Sequence, residues 1–376
     1  MKRFMSLLLV LTLVMVIALA GCATGSRTSE PAAITETSAP EATETVVSES
    51  EGFAADAVIG VALPWLGTQN WAEANDMFKT QLEAEGFKAI VQQADNKVPN
   101  QQQQIESMIQ NGAKVIVVGP VDGSQLGSVL EEAAAEGIKI IGYDRLIENT
   151  TAVDGVVQFD SIKTGVQQGQ ALLDGLAANK GEGPYNIELF GGGPADPNAP
   201  NFFKGAMSVL QPKIDDGTLV VVSGQMDFTQ CATMDWDNSK AQSRMDSLLS
   251  GNYSDKEIDG VLCPNDGIAR AVITASENAG QELPVTSGLD AENETVSWIW
   301  EGRQYSTIAK PTSTLVSTTV DIIKSLQAGN GMPAEDLIVN NGKKDVKVYA
   351  LPPLVVTKDN IKEAFANDPS RLELLK

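Results

Sequence analysis

Histidine is absent from all 376 residues. That removes Ser-His-Asp and Cys-His nucleophilic catalysis and the commonest zinc ligand, and no metal site is expected. Basic residues are few, 27 against 49 acidic ones, for a formal charge of −22. Nucleic-acid binding needs a basic face, so this balance disfavours it. No G-x-x-x-x-G-K-[ST] or G-x-G-x-x-G run follows an apolar strand, so no nucleotide cofactor is indicated. Paired carboxylates of a glycosidase stay formally open, but among 49 acids such pairs carry no information. Aromatics make up only 5% of the chain, yet 43% of it is hydrophobic, which is the composition of a globular protein. The length allows two domains of ordinary size.

The amino terminus reads as a targeting segment over residues 1–21. Lys2 and Arg3 precede an apolar run, Phe4 to Ala20, closed by Leu19-Ala20-Gly21-Cys22. That tetrapeptide resembles the lipobox of bacterial lipoproteins, in which the Cys is lipidated and becomes the first residue. A transmembrane helix is the rival reading, the run being near the lower length limit for spanning; the position of Cys22 favours the lipid. Residues 22–55 are rich in Ser, Thr, Glu, Ala and Pro, with almost no large apolar side chain before Phe53. Such a stretch cannot bury enough surface to fold and reads as a tether. The two other cysteines, Cys231 and Cys263, read either as an oxidised pair or as small buried hydrophobes.

From Ala57 onward short apolar runs alternate with helix-period segments that end at glycine. Val58–Leu63 reads as a strand, Trp71 to Glu85 as a helix stopped at Gly86, and the alternation repeats. This is the pattern of an α/β fold with doubly wound parallel sheets. The informative stretch is Lys139-Ile140-Ile141-Gly142-Tyr143-Asp144-Arg145. It reads as a buried strand delivering an acid and a base at its carboxyl end, where open α/β sheets bind ligands. A carboxylate and a guanidinium side by side suit a sugar, because one accepts from hydroxyls and the other donates to them. The bland alternative is an ion pair in a surface loop. Gly191-Gly192-Gly193-Pro194 after a strand reads as a turn, since Pro194 keeps a helix dipole from opening nearby.

Several longer markers then point one way. They are Val98-Pro99-Asn100-Gln101, Ile141-Gly142-Tyr143-Asp144-Arg145-Leu146-Ile147, Asn186-Ile187-Glu188-Leu189-Phe190-Gly191-Gly192, Pro264-Asn265-Asp266-Gly267 and Ser287-Gly288-Leu289-Asp290-Ala291-Glu292. In this order, over roughly Val58 to Thr357, the chain resembles periplasmic sugar-binding proteins of the ribose/galactose-binding class. Within that class it is most similar to the multiple-sugar and xylose receptors of ABC importers. The resemblance implies two Rossmann-like lobes of the type I periplasmic binding protein fold, joined by three crossover segments, with a monosaccharide held between them. It implies a first lobe of residues 56–158 plus 290–320 and a second of 159–289 plus 321–376. By position it implies a sugar-binding set of Trp71, Asp144, Arg145, Asn198, Trp236, Asn265, Asp290 and Lys310, with Asn70 beside the first indole. Asn70 stands where the class usually carries Arg, and Leu289 where it often has Gln. Each residue also has an ordinary role: Trp71 as helix core, Asn265 and Asp290 as helix caps, Lys310 as a surface lysine.

The function implied is a non-enzymatic, extracytoplasmic receptor that delivers an aldose to an ABC permease, acting as a monomer and held to the membrane through Cys22. The alternative is a sensor presenting the same sugar to a chemoreceptor or a sensor kinase. The two differ only in the outer surface that docks.

Overall fold

The computed structural model describes residues 51–376, which lie within one compact unit. The leader, Cys22 and nearly all of the tether fall outside the described residues. The chain lays down strands β1 Val58–Leu63, β2 Lys88–Gln93, β3 Val115–Val118, β4 Lys139–Tyr143 and β5 Gly155–Phe159. It continues through β6 Tyr185–Leu189, β7 Leu219–Val221, β8 Gly260–Leu262, β9 Val285–Thr286 and β10 Ser306–Ala309. It ends with β11 Leu337–Asn340, β12 Asp345–Leu351 and β13 Leu354–Thr357.

The first lobe is built on a seven-stranded sheet of order β11-β12-β5-β4-β3-β1-β2, parallel except for the edge hairpin β11-β12. Its central strands are apolar throughout because both faces are covered. One face packs on Phe78, Leu82 and Trp71 of the helix Gln69–Ala84 together with Leu315, Val316 and Val320 of Thr312–Gln327. The other packs on Ile105, Met108, Leu126 and Leu130. The second lobe is built on a parallel four-stranded sheet, β7-β6-β8-β9, beside an antiparallel pair, β10-β13.

Helices Ser161–Asn179 and Asn198–Asp215 cross against this second sheet at backbone contact, and glycine makes that possible. A Cβ at Gly165 would meet the Phe202 carbonyl, and one at Gly205 the Ile162 carbonyl.

The expected lobe boundaries need correcting after residue 290. Residues 290–309 belong with the second lobe: Ala291, Val296, Ile299 and Ala309 share a core with Val356, Ile361 and Phe365. Residues 312–351 belong with the first, through the helix against Phe78 and through β12 beside β5. Leu351–Val356 is one apolar run in the sequence. It is two strands in different sheets, because Pro352 and Pro353 carry no N–H to continue a ladder. The chain passes between the sheets three times, near Asp160, at Lys310-Pro311 and at Pro352-Pro353.

Cys231 and Cys263 are both free and buried. Cys231 packs with Leu189 and Phe203, Cys263 with Met245 and Ile268, so the thiols serve two different cores of one lobe. Burial pushes the Cys231 thiol up to about 11, and it raises Cys263 as well. Neither forms thiolate readily near neutrality. Native protein at about pH 8 should therefore react with an aromatic disulfide reagent only slowly, and both thiols should react at once in denaturant. Prompt reaction of the folded protein would contradict this burial.

Candidate functional site

The carboxyl ends of β1 and β4 face the loops that follow β6, β8 and β9 across a small cavity. All nine residues expected to bind ligand line it: Asn70, Trp71, Asp144, Arg145, Asn198, Trp236, Asn265, Asp290 and Lys310. Trp65, Thr68, Asp196, Phe202 and Leu289 complete the wall.

Asp144 and Arg145 are only 7% and 5% exposed, which removes the surface-loop alternative. They do not pair with each other. Asp144 Oδ1 accepts from the Lys310 ammonium at 3.3 Å, and Arg145 Nε faces Asp196 Oδ2 at 2.9 Å. Arg145 Nη1 donates to the Pro120 carbonyl at 3.0 Å, and its guanidinium lies over the Trp71 ring at 5.2 Å. Lys310 also meets Asp290 Oδ1 at 3.5 Å and lies over the Phe202 ring. It is therefore a buried cation shared by two carboxylates, not a surface lysine. Burial works against its charge, but Asp144, Asp290 and Asp196 outweigh it and hold the ammonium above its ordinary range.

Asn198 turns out to be a clasp. Its Nδ2 donates to the Asp144 carbonyl at 2.7 Å, and its Oδ1 accepts from Ser161 Oγ at 2.9 Å. Asp196 Oδ1 in turn accepts from the Asn198 N–H at 2.9 Å. The loop after β6 is thus tied across the cleft to the end of β4 by one hydrogen bond and one buried ion pair. Trp71 is packed edge-on to Tyr143 at 5.8 Å in the core and also lines the cavity. Asn265 likewise caps the helix Asp266–Asn278 through Ile268 N at 2.9 Å while it faces the cavity.

The glycine run after β6 has a use that the sequence did not reveal. A Cβ at Gly192 or Gly193 would collide with the Trp236 indole, so the glycines make a floor on which that ring lies. Trp236 itself has φ +56 and follows Asp235 at +61, while Asp144 and Asp290 stand at +61 and +94. Left-handed backbone at non-glycine residues costs of order 1–3 kcal/mol each and persists where surroundings enforce it, as at ligand clamps. The Trp236 indole N–H is buried with no hydrogen-bond partner among the described residues. Asp290 Oδ1 meets only the Lys310 ammonium.

Asp266 holds the loop that carries Asp290. Its Oδ2 accepts from the Glu292 N–H at 2.9 Å, and its Oδ1 accepts from Thr307 Oγ1 at 2.8 Å and Gln304 Nε2 at 3.2 Å. Burial, with Glu292 and Asp290 nearby, pushes Asp266 up to about 8; burial also lifts Asp290 to about 6 against the pull of Lys310. Carboxyls with raised folded values bind more protons folded than unfolded, so stability falls as pH climbs from about 4 through these values. Thermal melts should show a lower midpoint at about pH 8 than at about pH 5, and Asp266→Asn should flatten that slope. A slope that survives the substitution would assign it to other groups.

With this geometry in view, the class is defined: two doubly wound lobes with one ligand cavity between them. The periplasmic binding protein domain matches residues 59–331, and the chain belongs to that family, in its type I fold. It is 42% identical over 320 residues to the multiple sugar-binding periplasmic receptor ChvE of Rhizobium radiobacter, covering 83% of this chain and 90% of that one. The D-xylose-binding periplasmic protein of Escherichia coli K12 is 35% identical over 87% of this chain and 94% of its own. Among solved structures, an ABC transporter solute-binding protein from Clostridium phytofermentans with bound β-D-glucose superposes with a TM-score of 0.80 at 36% identity. That match covers 85% of this chain and all of the other.

Proposed function

We propose that this chain is the extracytoplasmic receptor of an ABC importer and captures a monosaccharide by closing its two lobes. One observation carries the reading: residues from both lobes and a crossover converge, with four aromatic rings, on one small buried cavity. An aldopyranose has apolar C–H faces suited to indole and phenyl rings, and a rim of hydroxyls that demands convergent polar groups. Asp144, Asp290 and Asn265 supply acceptors, and Arg145, Lys310 and the Trp236 N–H supply donors. Leaving one such buried group unpaired costs about 1–3 kcal/mol, so the set filters ligands as well as holding them. The names of the relatives above, receptors for multiple sugars and for D-xylose, support the same ligand class.

The cavity groups bind without making or breaking bonds, and delivery to a permease is favoured over presentation to a sensor. Attachment through Cys22 belongs to the same reading and rests on the lipobox-like tetrapeptide. A panel of aldoses followed by tryptophan fluorescence and calorimetry tests the proposal, because Trp71 and Trp236 lie in the cavity. Saturable binding of at least one aldose, with unaltered sugar recovered after long incubation, is expected. No binding across the panel would overturn it.

A further inference from the structure

The charges of the cavity do not cancel. Asp144, Asp196 and Asp290 face only Arg145 and Lys310, so one negative charge is in surplus when all five are ionised. Both cations already face carboxylates. Lys310 is divided between Asp144 and Asp290, while Arg145 is held by Asp196, the Pro120 carbonyl and the Trp71 face. Among the described residues, the ring of groups behind the wall adds no free cation. Asp266 is surrounded by hydrogen-bond donors, and Arg270 is tied to Glu292 and, at 3.1 Å, to Glu294. The buried atoms left without hydrogen-bond partners in the wall are the neutral Trp236 N–H, the Asp290 carboxylate oxygen, which meets only the Lys310 ammonium, and Arg145 Nε, which faces Asp196 as an ion pair. Burial raises both Asp196 and Asp290, against the pull of Arg145 and Lys310 respectively. Asn70 lines the cavity where a positive residue would have redressed the balance.

Resting on the monosaccharide reading, we propose that this cavity selects by charge. It admits neutral and ammonium-bearing monosaccharides and excludes sugar acids, and Asp196 is the residue that sets the exclusion by occupying Arg145. A uronate must shed water from its carboxylate and then meet surplus negative charge in a low-dielectric space, where the Arg145 charge is already balanced by Asp196. An amino sugar brings a donor and a compensating charge to Asp290.

The test is calorimetric titration of the protein at about pH 7.5 with D-glucose, D-glucosamine and D-glucuronate, and in parallel with the three D-galactose counterparts. In whichever series binds, the uronate should be weaker than the aldose by about a hundredfold or more, and the amino sugar within about tenfold of it. A uronate as tight as its aldose overturns the proposal, as does an amino sugar that fails to bind. No binding in either series overturns the monosaccharide reading and this inference together. In Asp196→Asn the uronate-to-aldose affinity ratio should rise by about tenfold or more, because Arg145 is released. An equal loss for every sugar would give Asp196 a role in closure alone and overturn its assignment. Should that variant not fold, Asn70→Arg returns a cation to the cavity and must move the same ratio in the same direction.

Discussion

Asp144→Ala should weaken aldose binding by at least about a hundredfold. The carboxylate is lost as an acceptor for the sugar, and the larger consequence falls on Lys310. That ammonium is buried and keeps only the longer contact to Asp290 once Asp144 is gone. Removing one partner of a buried ion pair typically costs about 3–5 kcal/mol, because the other charge is left uncompensated. With the lobes apart, water can reach Lys310 and lessen that cost, so most of it is charged to the closed, sugar-holding form. The loss should therefore appear mainly in affinity and less in melting temperature. Calorimetry on the variant decides the matter: wild-type affinity would take Asp144 out of the site.

Trp236→Ala should be nearly as damaging to binding and kinder to the fold. The indole offers a face of about 150–250 Å², and at about 25 cal/mol per Å² its removal forfeits several kcal/mol at most. Interface aromatics of this kind commonly cost about 2–4 kcal/mol when truncated, which is about thirtyfold to several hundredfold in affinity. Trp236 packs only at the margin of the second-lobe cores and sits in left-handed backbone. Trp236→Gly should accordingly fold at least as stably as Trp236→Ala while binding as poorly, since glycine takes positive φ without strain. An alanine variant that unfolds, or one that binds normally, would contradict this placement.

The functional end of β4 was legible in the sequence because two local signals coincide there: an apolar run, and a charged pair where it stops. The partners of that pair were not legible. Asp144 meets Lys310, which lies 166 residues away, and Arg145 meets Asp196, one acid among 49 with nothing local to mark it. Trp65, directly after Pro64 at the end of β1, gave a signal of the right kind, an aromatic at a strand's carboxyl end, and was passed over for Trp71. Gly192 and Gly193 read as a turn because the ring they accommodate arrives from more than forty residues later. The lobe boundaries after residue 290 went astray for a related reason. Periodicity identifies a strand but not its sheet, and only Pro352-Pro353 hinted that one apolar run served two. The composition of the whole chain, by contrast, excluded histidine-based catalysis and disfavoured nucleic acid at once.

The central claim is that a ligand is enclosed by two lobes that must part to admit it. Asp144, Arg145, Asn198 and Asn265 are each less than a tenth exposed, so a sugar cannot reach them through the closed cleft. The clasp from Asn198 to the Asp144 carbonyl and the pair from Arg145 to Asp196 must break for entry. Sugar then favours closure by no more than the contacts it completes across the cleft. Small-angle scattering on residues 51–376, with and without a saturating aldose that calorimetry shows to bind, measures this directly. The account predicts a smaller radius of gyration with sugar, and no such decrease in Trp236→Ala at the same concentration. An identical radius in the two states of the wild-type protein would contradict it.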